Sequence, residues 1–330
     1  MVGPDDAGSG EDRLIARFFK PLASAPGALA LTDDAAFVAP PPGCDLVLTA
    51  DMIVGGVHFL ADDPAELIAK KAMRVNLSDL AAKGAAPFGF LVSIALPQGV
   101  DEAWLASFAS GLKADADAYR CPLYGGDTTR TPGPVTISVT MAGTVPHGTM
   151  VKRAGAKAGD KIYVSGTIGD AALGLAVQRD DGRRISAGAR DYLVGRYRLP
   201  QPRNALAEAV RTHASAAMDV SDGLAGDLAK LCRVSGVAAR IETERVPLSD
   251  AARELIATDA ALLEAAITGG DDYEIVCAVP PEKISSFESE AAAARVPVAA
   301  IGEVAGGQGL DVRGPDGAPM ALRRTSFSHF

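Results

Sequence analysis

Apolar and polar positions along the chain alternate with two different periods. From Val135 to Val145, Val135, Ile137, Val139 and Met141 are interleaved with Thr136, Ser138 and Thr140. A period of two predicts a strand with one face in a core, as in an antiparallel or mixed sheet. Leu46 to Ala50 and Phe90 to Leu96 read as strands in the first half. Lys161 to Val164, Ala238 to Ile241, Tyr273 to Val279 and Val298 to Val304 read as strands in the second. Helical spacing appears from Glu11 to Phe19, through Leu14, Ile15, Phe18 and Phe19, and from Glu102 to Ala118, through Trp104, Leu105, Phe108 and Leu112. Asp63 and Pro64 predict the start of a helix running from Ala65 to about Lys83, with Asp63 as its cap. A further helix is expected from Gly223 to Cys232, and a closing hairpin from Asp311 to Arg324 around Pro315-Asp316-Gly317. Residues 1–10 read as a disordered tail. Because strands and helices are mixed in both halves, the fold class is α/β, or mixed α+β.

A chain of 330 residues is long enough for two domains. Pro146, Gly148, Gly155 and Gly159 interrupt the periodic pattern, so the expected domains are 11–148 and 149–330.

The most specific chemistry lies in aspartates that follow or adjoin strand-like runs. They are Asp33-Asp34, Asp51, Asp79, Asp127 after Gly125-Gly126, and the pair Asp219 and Asp222 around Ser221. Their neighbours are small. Carboxylates on small-residue loops suit hard divalent cations held against phosphates, and such carboxylates would repel one another if they converged without cations. Asp79, set among Leu77, Leu80, Ala81 and Ala82, is poorly placed for a solvated charge. The two glycines before Asp127 would let amides approach a phosphate, and Ser221 with the amides that follow could meet phosphate oxygens at a helix start. Asp222 can also serve as a cap there.

Composition narrows the classes. The net charge of −9 argues against a nucleic-acid partner. The longest apolar run, Phe88 to Pro97, is too short to span a bilayer, and no apolar leader precedes Arg13, so a cytoplasmic protein with no membrane association is expected. The four cysteines form no C-x-x-C pair, which removes zinc and redox-motif readings. Neither a P-loop nor a G-x-G-x-x-G after a strand is present. Ser78-Asp79-Leu80 with Gly125-Gly126-Asp127 is echoed at nearly equal spacing by Ser221-Asp222-Gly223 with Gly269-Gly270-Asp271, a match that chance explains as readily as duplication.

Taken in order, Asp33-Asp34-Ala35-Ala36, Thr49-Ala50-Asp51, Val57-His58-Phe59, Val75-Asn76-Leu77-Ser78-Asp79-Leu80-Ala81-Ala82, Gly125-Gly126-Asp127-Thr128-Thr129-Arg130, Asp219-Val220-Ser221-Asp222-Gly223-Leu224 and Gly269-Gly270-Asp271-Asp272-Tyr273-Glu274 form a set. That set resembles thiamine-monophosphate kinases, within the aminoimidazole ribonucleotide synthetase-like superfamily, from about Glu11 to Phe330. The resemblance implies a two-domain fold: an N-terminal ATP- and Mg-binding domain whose strands close a barrel with a second subunit, and a C-terminal α+β domain. It implies a homodimer, ATP as co-substrate, several Mg²⁺ ions per active site, and transfer of phosphate to thiamine monophosphate, the last step to thiamine diphosphate. It assigns the metal to Asp34, Thr49, Asp51, Asp79, Asp127, Asp219 and Asp222, with Asp51, Asp127 and Asp219 as the catalytic carboxylates. It assigns ATP to Gly126, Asp127, Arg153 and Ser221, and thiamine phosphate to His58, Asp271 and Phe327. Tyr119 is the candidate contact for adenine. The family commonly carries glutamate at Asp271 and Gly-Asp-Asp at Thr32-Asp33-Asp34. The alternatives are another ATP-using enzyme of the superfamily or a non-catalytic Mg-nucleotide-binding module. Among the enzymes, the selenophosphate and hydrogenase-maturation relatives use cysteines that residues 1–30 and the terminal Phe330 do not supply.

Overall fold

The computed structural model describes residues 10–180, 184–324 and 326–327. The expected tail lies outside the described residues, except Gly10. The chain divides into two compact units with breaks at Asn76/Leu77, Ala86/Pro87 and Thr144/Val145, so residues 77–86 belong to the second unit.

The first unit is built on a four-stranded sheet of β1 (Cys44–Val54), β2 (Ala86–Leu96), β3 (Leu123–Arg130) and β4 (Thr136–Pro146), in the order β1-β4-β2-β3. Strand alternation buries Val47 and Ile53 of β1, Phe90, Val92 and Ile94 of β2, and Ile137, Val139 and Met141 of β4. Leu46, Leu48, Met52 and Leu91, at 40%, 69%, 57% and 43% exposure, remain open. Its helices are α1 (Gly10–Leu14), the first part of α2 (Ala65–Ala82), and α3 (Glu102–Ala118). Asp101 caps α3 by accepting from the Trp104 amide at 2.8 Å, and Leu105, Phe108 and Leu112 form its buried stripe. The helix expected over 11–19 is split: α1 ends at Leu14 and a π-helical turn, Ile15–Phe19, buries Phe18 and Phe19.

The second unit carries a six-stranded sheet of β5 (Lys161–Ser165), β6 (Ala216–Val220), β7 (Ala238–Glu242), β8 (Glu274–Val279), β9 (Val298–Ala305) and β10 (Gly309–Arg313), ordered β10-β7-β9-β5-β8-β6. All its pairings are antiparallel except β10 with β7. Its helices are α4 (Asp170–Arg179), α5 (Ala187–Arg198), α6 (Ala207–His213), α7 (Leu224–Ser235), α8 (Asp250–Ile256), α9 (Leu262–Thr268) and α10 (Ile284–Ala293). Both faces of this sheet are covered. Ile162, Val164, Met218 and Val276 pack with Leu224, Leu228 and Leu231 of α7. Tyr163, Ala217, Ile275 and Cys277 pack with Val210 of α6, Phe287 of α10, and Ala81 and Ala82 of α2. With two covered faces, β6 and β8 are buried along their whole length.

Three expectations need correcting. Gly125 to Arg130 is an extended edge strand rather than a loop, paired parallel with β2 so that Asp127 lies opposite Ser93. Asp51 and Asp219 lie inside β1 and β6 rather than after them. The closing hairpin is reduced to a Gly314–Gly317 turn and a single bridge from Arg313 to Pro319, and the regular pairing of β10 is with β7.

Candidate active site

In the first unit, a cavity of about 720 Å³ is lined by Leu46, Leu48, Phe88 and Tyr124 together with Asp33, Asp34 and Asp127. That volume suits a nucleotide-sized ligand. Asp34 and Asp127 are exposed, and the Asp34 amide donates to Asp33 at 2.8 Å. Gly126 lies beside Asp127, but its lack of a side chain has a local cause: a Cβ there would sit 1.8 Å from the Val92 carbonyl oxygen, so the glycine permits close pairing with β2. Thr49 and Asp51 share a strand face with buried Val47 and Ile53 and do not line the cavity. His58 closes the turn after β1. Its Nδ1 accepts the Val54 amide at 3.0 Å, which leaves the ring proton on Nε2, and its carbonyl accepts the buried Lys71 ammonium at 2.8 Å. Tyr119 stands against the Arg74 guanidinium, 5.9 Å from ring centroid to charge, and is not among the cavity residues.

In the second unit, the last turns of α2 meet β6. Ser78, fully buried, donates to Asp219 Oδ2 at 3.2 Å. Lys83 Nζ donates to the Ala217 carbonyl at 2.7 Å, and the Ala217 amide in turn donates to the Lys152 carbonyl at 3.0 Å. Burial pulls the Lys83 ammonium down to about 8, with a further push from Arg153, while Asp219 and Asp79 oppose both. Asp79, Lys83, Arg153 and Asp219 therefore form one electrostatic group. Asp79 is half-buried in a helix turn whose neighbours Leu77, Leu80, Ala81 and Ala82 are fully buried, so it is not part of a solvated helix face.

The loop after β6 gathers the remaining predicted residues. Ser221 accepts the Asp271 amide on its carbonyl at 2.9 Å, Val220 accepts that of Tyr273 at 2.8 Å, and Asp222 accepts that of Phe327 at 3.0 Å. Asp271 has φ of 73° and Tyr273 φ of 52°, and the Tyr273 hydroxyl donates to Asp271 Oδ1 at 3.3 Å. Gly223, not Asp222, caps α7. Its φ is 113°, and a Cβ would stand 2.5 Å from the Thr268 carbonyl oxygen. The amides of Ser221 and Asp222 do not face a phosphate: both donate to the buried carboxylate of Asp227, at 3.0 and 2.9 Å. The echo noted in the sequence has no structural counterpart, since Ser78-Asp79 is helical and Ser221-Asp222 is not.

Among the described residues, no three His, Cys, Asp or Glu side chains stand close enough to hold a metal ion. The carboxylates instead occur singly or in twos, which fits Mg²⁺, an ion bound through one or two carboxylates with waters and substrate phosphates completing its octahedron.

Comparison with known proteins decides the family. Residues 32–145 match AIR synthase related protein, N-terminal domain, and 157–314 match AIR synthase related protein, C-terminal domain. The thiamine-monophosphate kinase of Caulobacter vibrioides is 45% identical over 314 residues, covering 93% of this chain and 88% of that one. The crystal structure of thiamine-monophosphate kinase from Stenotrophomonas maltophilia K279a superposes with a TM-score of 0.83 at 37% identity, over 94% of this chain and 96% of that one. The chain belongs to the thiamine-monophosphate kinase family. AaThiL complexed with AMPPCP and TMP is similar at 31% identity and a TM-score of 0.77, over 90% and 91% of the two chains.

For a member of the thiamine-monophosphate kinase family, several supporting residues had no role assigned from the sequence. Asp227 and Lys230 lie one helical turn apart on α7 and look like an ordinary surface pair. Asp272 and Glu274 sit beside Asp271 but turn inward. Asp272 is fully buried and accepts the Gly169 and Ala171 amides at 2.7 and 3.2 Å, and burial holds its carboxyl well above the usual range. Glu274 accepts Arg203, Arg196 and Ser165 in a buried network.

Proposed function

We propose that this protein transfers the γ-phosphoryl group of ATP to thiamine monophosphate, giving ADP and thiamine diphosphate. The observation that carries this reading is the loop after β6. Its backbone gathers Asp271 and Phe327, which the resemblance gives to thiamine phosphate, onto Ser221 and Asp222, which it gives to ATP and metal. The nucleophile is an oxygen of the substrate's own phosphate, anionic at neutral pH, so no strong base is needed. A bond forms from that oxygen to the γ-phosphorus as the bond from the γ-phosphorus to the bridging oxygen of ADP breaks. Mg²⁺, when bound, offsets the repulsion of the two anions and stabilises charge on the transferring group.

The chain's own residues divide this work. In the first unit, Asp34 and Asp127 would hold metal at the cavity, Gly126 would lie along the nucleotide, and Thr49 and Asp51 would hold metal from the other face of β1, away from the cavity-lining Leu46 and Leu48. In the second unit, Asp79, Asp219 and Asp222 would hold metal and Arg153 would meet ATP phosphate. The two units would thus carry separate halves of the machinery, with Asp79, inside the 11–148 range, acting from the second unit, and His58 in the first unit would contact thiamine phosphate. The open apolar positions Leu46, Leu48, Met52 and Leu91 support a homodimer in which the four-stranded sheet pairs with a second copy to close a barrel. No described helix is long and apolar enough to cross a membrane. The free cysteines accord with a reducing cytoplasm.

One assay tests the reading: thiamine diphosphate formed from ATP, Mg²⁺ and thiamine monophosphate, with ADP released in equal amount. ATP binding without product would leave a non-catalytic binding module. Direct transfer requires that no labelled protein–phosphate species accumulate in a single turnover with γ-labelled ATP.

A further inference from the structure

Lys230 on α7 has no role in the chemistry above, yet its placement is specific. Its ammonium forms an ion pair with Asp222 Oδ2 and a second, at 2.8 Å, with Asp227 Oδ1. Asp227 is fully buried, and its other oxygen holds the amides of Ser221 and Asp222. Asp222 is therefore tied twice: its backbone through Asp227, and its side chain through Lys230. Without Lys230, a carboxylate side chain that is 39% exposed would be free to change rotamer on its loop. With Lys230 in place, one oxygen is fixed and the other is left to meet a cation.

We infer that Lys230 is a positioning residue that pre-orients Asp222 as a one-oxygen ligand for the divalent cation. This rests on the metal reading of Asp222. Partners that orient a ligating carboxylate typically account for 10–100-fold in metal affinity. Lys230 is half-buried, 30% accessible, and its replacement also leaves buried Asp227 without its counter-charge, so the thermal midpoint of each variant is measured beside the titration, which is run below that midpoint.

The test titrates Mn²⁺ into the full-length protein with saturating AMPPCP and thiamine monophosphate, following loss of the free-ion EPR signal against a protein-free blank. Lys230→Met should weaken Mn²⁺ binding about tenfold or more and raise the Mg²⁺ concentration for half-maximal rate by the same factor. The rate at saturating Mg²⁺ should stay within about threefold of wild type, and Lys230→Arg should restore the affinity. Lys230→Gln serves as a second charge-removing variant should the methionine disturb α7. If Asp222→Asn weakens Mn²⁺ binding while Lys230→Met and Lys230→Gln titrate as wild type, the positioning role is overturned and the metal reading stands. If Asp222→Asn also titrates as wild type, the metal reading of Asp222 falls and the inference falls with it.

Discussion

Lys83 Nζ donates to the carbonyl oxygen of Ala217, 2.7 Å away, so the end of α2 is fastened to the strand that carries Asp219. This fastening uses a buried ammonium, and its pKa of about 8 against 10.5 makes it measurable. Below pH 8 the group is charged in folded and unfolded chains alike, and the full burial cost is present. Between about 8 and 10.5 the unfolded chain binds more protons, so the stability attributable to this group rises with pH. The stability difference between wild type and Lys83→Met should therefore shift by roughly 3 kcal/mol in favour of wild type from pH 7 to pH 10.5. Urea unfolding of both proteins at the two pH values measures it, and a pH-independent difference would remove the assignment.

On the proposed role of each as a metal-holding carboxylate, Asp51→Asn and Asp219→Asn should each lower turnover by about a hundredfold or more. Far-UV circular dichroism and the thermal midpoint should stay close to wild type. Near-normal turnover in both would sink the carboxylate–metal reading.

Glu274→Ala leaves the buried guanidinium of Arg196 and the half-buried one of Arg203 without their shared carboxylate. Removing one member of such a buried group costs about 3–5 kcal/mol. The loss should appear as a lower denaturant midpoint, with or without substrates present.

Gly126→Ala and Gly125→Ala make a matched pair on β3. A Cβ at 126 meets the Val92 carbonyl oxygen at 1.8 Å, whereas one at 125 has Leu91 Cδ2 at 3.4 Å as its nearest neighbour. The first change should destabilise the protein by about 1–3 kcal/mol or more and the second by less than about 1. Equal thermal midpoints would remove close pairing with β2 as the reason for glycine at 126.

The strands and helices that sequence periodicity places well are those whose burial follows a simple stripe. The helix over 102–118 and the strand over 135–145 are both of this kind. Gly125 to Arg130 misleads because two glycines and an aspartate carry turn propensity, while parallel pairing with Leu91–Leu96 of β2 holds them extended. For the candidate site, the acids are legible and their fates are not. Asp271, Asp272 and Glu274 are near neighbours in sequence. One carries a hydroxyl contact on a left-handed turn, one holds amides at the start of α4, and one neutralises two arginines. That division depends on partners a hundred residues away, Gly169 and Ser165 among them, which no local pattern encodes. Asp79 gives a second instance. Read by position it belongs with the first half of the chain, yet α2 carries it into the second unit beside Asp219.

The left-handed φ of 73° at Asp271 also bears on how this position can drift. Short polar residues tolerate that conformation far better than long ones, for which it costs about 1–2 kcal/mol. A saturation library here would be sorted by conformation before chemistry. Asn and Gly would pass the backbone filter and lose the charge; Glu would keep the charge and carry the conformational penalty. The wild-type aspartate meets both demands in a single residue, so the route to a longer acid runs through a compensating change elsewhere in the turn.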